Sequence, residues 1–387
     1  MTSSIKRFLC ITAFLFLAFS FASAEQLAFP TYGVSIDFPE GWYLSDKSDD
    51  NSSYIIANKV EPANTAIRFY KKGTYDTALN ALNETLNKLG TDGDSESFEW
   101  RNTDSAVAVF TMTLSGTEMA GRGVAATLPE DFGIIVFFCW CQKDFLNQCN
   151  NFMASTLDSL CIDRGSYYSP GIMTSYLYPA TSKKIPVTLE IDGKKINTQL
   201  DSNDSDASNF VISREYNLLT LYAQNENWKE AWLRYYRMIF RDSYLRMSRP
   251  AFDIYNEIAP ACADETDLAQ KLLTWTQSFS YDRAKSENES DFTSLPDVLL
   301  KKGNDCDSRS MLVSVMLQNM NIDSIIFISA EYSHAICGLN STHPGQSITV
   351  NDKKYLTGET TAKGLTWGMI SQDMSDFTKW LAVTYPN

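Results

Sequence analysis

The hydrophobic and polar positions change period along the chain. From Leu27 to Asp163 the pattern is mostly that of strands. Tyr32 to Pro39 alternates apolar and polar residues, then turns at Pro39-Glu40-Gly41 before Trp42. Ser53–Ala57 and Ala66–Tyr70 read as two further strands. Tyr75–Leu89 switches to helical spacing, with Leu79, Leu82, Leu86 and Leu89 as its stripe. Asp92–Glu96 reads as an acidic, glycine-containing turn. Ala106–Met112, Gly121–Leu128 and Gly133–Cys139 read as strands of a meander, and Phe145–Leu157 as a closing helix.

The next stretch, residues 165–184, is rich in Ser, Tyr, Pro and Gly and reads as a linker. Val187–Ile191, Asp192-Gly193 and Lys194–Leu200 form a hairpin signal, because Asp-Gly suits a tight type I′ turn. Asp201–Ser208 is polar and acidic and reads as a loop. From Ile212 the period is helical. Trp228–Met247 is a long helix that Pro250 is expected to end. Its arginines 234, 237 and 241 share one face. They predict either a salt-bridged face or a stripe for an acidic or glycan ligand. Leu268–Tyr281 is another helix. Ala284–Ser294 is polar and reads as the border of a cleft. A further helix follows, with Met311, Leu312, Val315, Met316 and Met320 at its spacing. Ile322–Ser329 and Glu331–Leu339 are strands. Ile348–Val350, the Asn351-Asp352 turn and Tyr355–Thr357 make a last hairpin. The expected fold class is α+β: an antiparallel sheet with helices, then a helical lead-in to a second α+β unit. A chain of 387 residues has room for both cores.

The N-terminus changes the picture of where the protein works. Lys6 and Arg7 precede the apolar run Phe8–Ala22, which ends in Ala22-Ser23-Ala24. This is the layout of a secretory signal peptide over residues 1–24. The expectation is an exported protein, periplasmic or secreted, that is not membrane-integral once cleaved. Loss of residues 1–24 removes Lys6 and Arg7 and no acid, taking the formal net charge from −14 to −16. So acidic a chain is a poor match for nucleic acid. Of the eight cysteines, Cys10 goes with the leader. The odd number left suggests one thiol held apart and disulfides among Cys139, Cys141, Cys149, Cys161, Cys262 and Cys337, with Cys262–Cys337 as one bridge to test. No spacing of Cys and His suits a metal, and no cofactor is implied.

The chemistry concentrates in Gly303-Asn304-Asp305-Cys306-Asp307-Ser308-Arg309-Ser310. N-cap-type residues precede a cysteine at a helix start. There the helix dipole and the unpaired N–H groups favour a thiolate and can steady an oxyanion. Asp305 and Asp307 either tune the thiol or cap the helix. His334 follows in a strand-like stretch, and Glu359 follows the last hairpin. His343, the other histidine, lies in a Ser-Thr-His-Pro-Gly turn and is a poorly held base.

The run Pro296–Arg309, with His334-Ala335 and Glu359-Thr360-Thr361 after it, resembles the transglutaminase-like superfamily of papain-like thiol enzymes. The resemblance covers Leu268 to the C-terminus. It implies a papain-like fold, with Cys306 as nucleophile, His334 as base and Glu359 where the family usually has aspartate. Trp275 to Tyr281 resembles the helix before the catalytic loop, and makes Trp275 and Gln277 candidates for the oxyanion site or pocket. The N-terminal part, through Ser35-Ile36-Asp37-Phe38-Pro39-Glu40-Gly41-Trp42 and its final strand–helix order, looks PsbP-like. The expected organisation is a signal peptide over 1–24 and a PsbP-like domain over 25–164. A linker and hairpin follow over 165–210, then a transglutaminase-like domain over 211–387. The implied activity is cleavage or transfer of an amide or peptide acyl group through Cys306. The implied substrate is a protein, a peptide or a peptidoglycan-type molecule. A second expectation stays open: an exported binding or assembly protein that keeps the fold without turnover.

Overall fold

The computed structural model describes residues 26–282, 289–301 and 304–385. The expected leader over 1–24, the 284–288 part of the expected cleft border, and Gly303 lie outside the described residues. The protein is α+β: among the described residues, antiparallel sheets of seven and five strands carry the helices, beside a three-stranded sheet and a two-stranded hairpin.

The first unit opens with β1 (Leu27–Phe29) and β2 (Val34–Ile36), followed by β3 (Trp42–Lys47), β4 (Ser53–Asn58) and β5 (Ala63–Tyr70). Helix α1 (Ala78–Leu89) leads to β6 (Asp92–Trp100), β7 (Thr103–Leu114), β8 (Thr117–Leu128) and β9 (Gly133–Gln142). Helix α2 (Leu146–Asp158) and β10 (Leu160–Cys161) close it. The main sheet has seven strands in the order β3-β4-β5-β9-β8-β7-β6. The alternating segment around Tyr32–Pro39 does not join that sheet. A short 3-10 turn at Pro30–Tyr32 interrupts it, and β2 pairs instead with β1 and β10.

The acidic stretch Asp92–Glu96 is not a turn. It is the start of edge strand β6, where charged side chains point to water and blunt the edge against further pairing. Gly93 is needed there: at φ 159°, a Cβ would stand 2.1 Å from the Val109 carbonyl of β7.

Residues expected as a linker are largely structured. A 3-10 segment at Arg164–Tyr168 leads to helix α3 (Ile172–Leu177), whose Ile172 and Met173 are buried in the first core. Hairpin β11 (Lys184–Ile191) and β12 (Lys194–Asp201) forms with the expected Asp192-Gly193 turn. The segment expected as a loop over Asp201–Ser208 instead starts helix α4 (Asp204–Leu221). Asp204 and Asp206 in its first turn suit the positive end of the helix. Helix α5 (Trp228–Arg246) ends before Pro250, which lies in the first turn of α6 (Ser248–Ile258), where a missing N–H costs nothing.

Helices α7 (Glu265–Gln277) and α8 (Leu295–Leu299) then bring the chain to α9 (Cys306–Asn319). Strands β13 (Ser324–Ser329), β14 (His334–Asn340), β15 (Ser347–Val350), β16 (Lys353–Gly358) and β17 (Leu381–Val383) form a five-stranded sheet in the order β15-β16-β14-β13-β17. Every residue of α9 from Cys306 to Leu317 is buried, so this helix is the centre of the second core and not an amphipathic surface helix. Among the described residues no helix is long and apolar enough to cross a membrane.

The arginine face of α5 is spent inside the molecule. Arg237 grips Asp37 with both Nε and Nη2, at 2.8 and 2.9 Å. Arg234 donates to the Asp37 carbonyl and to Glu215, each at 2.8 Å. Arg241 donates to the carbonyls of Leu160 and Ser169. Arg214 sits between Asp158 and Glu215. These contacts join the two units through buried, charge-assisted bonds. They answer the sequence alternative: the stripe is a salt-bridged junction and offers no ligand face.

No disulfide forms among the seven described cysteines, in contrast to the expected bridges. Cys337 lies in a strand with its thiol against Ser324, while Cys262 bonds to the Ile258 carbonyl. Burial pushes the thiols of Cys139 and Cys337 up to about 12.

Candidate functional site

Asp305 caps α9. Its carboxylate accepts from the Ser308 N–H at 3.3 Å and from the Ser308 hydroxyl at 2.7 Å, leaving Cys306 as the first helical residue. Of the two readings for Asp305, the cap is therefore realised. Cys306 is buried at 5% exposure.

Strand register brings the histidine and the acid together. Strand β14 pairs with β16 so that Cys337 faces Gly358. Continuing that register one step sets Glu359 opposite Ile336. With side chains alternating every second residue, Glu359 shares a face with His334. His334 Nε2 lies 2.8 Å from Glu359 Oε2. The other carboxylate oxygen accepts from the Thr361 N–H at 2.8 Å and the Thr361 hydroxyl at 2.6 Å. Burial raises the Glu359 carboxyl, but its bonds to His334 and Thr361 outweigh that and hold it below the usual carboxylate range. His343 is far more exposed and lies 3.7 Å from Asp264.

Ser310 docks the start of α9 onto these two segments. Its hydroxyl lies 2.7 Å from the Cys306 carbonyl, 3.3 Å from the Ala335 carbonyl and 3.3 Å from the Thr360 hydroxyl. Ala335 follows His334, and Thr360 follows Glu359. The segments carrying Cys306, His334 and Glu359, spread over the last third of the chain, thus converge at one junction of helix and sheet, with His334 and Glu359 in direct contact. Ser310 was not singled out in the sequence. The available signal was its position one turn after Cys306, on the same helix face.

Gln277 reaches the same region but is committed to backbone. Its amide N–H groups bond the carbonyls of Glu359 at 2.8 Å and Leu365 at 3.0 Å, and its oxygen accepts from the Gly364 N–H. It therefore holds the chain around Glu359 in place. Trp275 packs edge-to-face on Phe279 with ring centres 5.0 Å apart. Both rings line a cleft of about 600 Å³ between the β11–β12 turn and α7. The lining reaches Asn304, two residues before Cys306.

A second group of acids lies at the start of α9, around Cys306. Carboxylate oxygens of Asp291, Asp305 and Asp307 lie within 4.8 Å of one another. Asp307 accepts from the Tyr236 hydroxyl at 2.8 Å and from the Ser308 N–H at 2.8 Å. Burial, then the neighbouring charge of Asp305, pushes the Asp307 carboxyl well above its ordinary range. The helix cap engages Asp305, and Tyr236 and the Ser308 N–H engage Asp307.

No family model matches the chain. No curated protein matches it either. Among solved structures, the cyanobacterial PsbP (CyanoP) from Synechocystis sp. PCC 6803 is similar over 40% of this chain and 98% of its own, at 10% identity and a TM-score of 0.31. A protein of Bacteroides thetaiotaomicron VPI-5482 is similar over 83% of this chain and 88% of its own, at 11% identity and a TM-score of 0.26. A putative protease from Parabacteroides distasonis ATCC 8503 covers 81% of this chain and 69% of its own, at 10% identity and a TM-score of 0.22. At such TM-scores these likenesses carry no argument about fold or activity.

Proposed function

We propose that the protein is a thiol enzyme that cleaves or transfers an amide or peptide acyl group through Cys306, as the resemblance to the transglutaminase-like superfamily implies. The observation that carries this reading is the His334–Glu359 pair at 2.8 Å, set where Ser310 ties both segments to the first turn of the Cys306 helix. The Cys306 sulfur attacks the carbonyl carbon. His334, held by Glu359, takes the thiol proton and gives it to the departing amine. The N-terminal end of α9 supplies positive potential for the oxyanion. Water then cleaves the thioester to an acid, or an amine takes the acyl group. An exported location favours peptide or peptidoglycan-type substrates, with water as the ready acceptor. The PsbP-like first unit is read as a binding or packing module, joined to the second by the α5 arginines.

The test is hydrolysis of a mixed peptide and muropeptide library by the protein from Glu25 onward, with Cys306→Ala as control. Turnover lost in Cys306→Ala supports the reading. A library left intact, with Cys306 inert to iodoacetamide, favours the second expectation of a binding or assembly protein without turnover.

A further inference from the structure

One buried cation near Cys306 is not used by the chemistry above. Arg309 lies one turn into α9 and is 1% exposed. Its Nε donates to the Asn304 side-chain oxygen. Nη1 donates to the carbonyls of Thr276 and Thr360, each at 3.4 Å, and Nη2 to that of Phe279 at 3.1 Å. The guanidinium also lies over the Phe279 and Tyr281 rings, at 5.9 and 5.5 Å. Among the described residues, the hydrogen-bond partners are all neutral oxygens. They belong to three segments: the loop entering Cys306, the end of α7, and the chain just past Glu359.

A buried arginine usually faces a carboxylate, because an uncompensated charge is costly to desolvate. Here the burial cost holds the guanidinium below its ordinary value, and the negative groups acting on it from a distance include Asp305, Cys306 and Glu359. A cation kept off direct carboxylate contact leaves its field for its surroundings, the sulfur among them. Asp305, the residue before Cys306, would otherwise disfavour a thiolate.

We propose that Arg309 is a positioning residue of the Cys306 site, pinning the Asn304 loop, the end of α7 and the Glu359 segment with its planar fork while its uncompensated charge favours the Cys306 thiolate. The proposal rests on the thiol-enzyme reading. A lysine could supply the charge but not the fork. The cleft gains from the same contact, since Phe279 and Asn304 both line it and both bond Arg309.

The test measures the iodoacetamide rate of Cys306 against pH by mass spectrometry. It uses the wild-type protein, His334→Ala, Arg309→Met, Arg309→Lys and Asn304→Asp. Asn304→Asp keeps the side-chain shape but puts a carboxylate on Arg309, so it neutralises the charge without removing the fork. In wild type the profile is expected below the ordinary thiol midpoint of about 8.5. Arg309→Met and Asn304→Asp should each raise the midpoint by about one pH unit, slowing alkylation at neutral pH ~10-fold. Arg309→Lys should keep the midpoint and lose thermal stability. If Arg309→Met fails to fold, Asn304→Asp and Arg309→Lys decide. A midpoint unmoved in Asn304→Asp, with His334→Ala still raising it, would overturn the role of Arg309 and leave the thiol-enzyme reading standing. A wild-type midpoint in the ordinary range, unmoved by His334→Ala, would overturn both.

Discussion

His334 Nε2 and Glu359 Oε2 meet at 2.8 Å across a helix–sheet junction in which Glu359 is also fixed by the N–H and hydroxyl of Thr361. The pair is thus anchored on its acid side before any substrate arrives. Because the folded Glu359 carboxyl is held low, its contribution is present above its unfolded value of about 4.3 and is lost as pH falls through the folded value. Glu359→Ala is expected to cost about 1–3 kcal/mol at neutral pH, by leaving buried donors without an acceptor. Urea unfolding at pH 7 and pH 3 should show that cost shrinking in acid. A cost equal at both values would contradict the ionised pairing.

Glu40 behaves with the opposite sign. Burial pushes its carboxyl up to about 7, with Asp37 and Glu230 adding to the shift and Arg234 and Arg237 opposing it. Between its ordinary value and about 7 the folded protein holds a proton that the unfolded chain has lost. Stability attributable to Glu40 therefore falls as pH rises through this window, and levels off above it. Partial exposure limits the effect to about 1–2 kcal/mol. Glu40→Gln should unfold at higher urea than wild type at pH 8 and match it at pH 4.5. Parallel stability profiles for the two proteins would exclude this titration.

The junction between the two units turns on Asp37, which receives both nitrogens of the Arg237 fork and lies 3.9 Å from Arg234 Nε. Asp37→Asn leaves Arg237 largely buried without its carboxylate, while Arg234 keeps Glu215, at an expected cost of about 3–5 kcal/mol. Differential scanning calorimetry should show a lower transition for the whole chain. A normal transition would mean that water replaces the carboxylate.

Gly358 sits immediately before Glu359 and beneath the Trp367 ring, where a Cβ would come 2.3 Å from Cζ3. Gly358→Ala must displace the indole or the strand end, an overpacking cost of about 1–3 kcal/mol. Because Glu359 is the next residue, the variant should also weaken any His334-dependent reactivity of Cys306. Unchanged melting and unchanged thiol kinetics together would refute the close packing.

The cysteines should divide sharply under native alkylation. Cys139 and Cys337 are fully buried and their thiols are raised to about 12, so iodoacetamide at pH 8 should leave both unmodified until the protein is denatured. Peptide mapping before and after guanidinium, without reductant, reads this directly. Cysteines that stay unlabelled after denaturation would reveal disulfides in the protein.

Much of this architecture is local and was legible from the chain alone. The Asp192-Gly193 hairpin, the first helix with Leu82 and Leu86 in its buried stripe, though not the exposed Leu89, and the Cys306 helix follow from turn chemistry and periodicity, which neighbouring residues determine by themselves. The order of Cys306, His334 and Glu359, each at an element boundary, was also visible. Other features needed the tertiary structure. Asp92–Glu96 is a strand because β7 offers it a ladder, and an edge tolerates the charges that made it look like a turn. Asp201–Ser208 enters a helix because a dipole accepts its acids. The arginine face of α5 carried no mark distinguishing water from a partner, and only packing against Asp37 and the Leu160 and Ser169 carbonyls showed that it is a junction. Likewise Arg309 and Ser310 gain their roles from groups 25 to 51 residues away in the chain. Sequence spacing records what a residue can do with its neighbours. Register and burial decide which distant groups it meets.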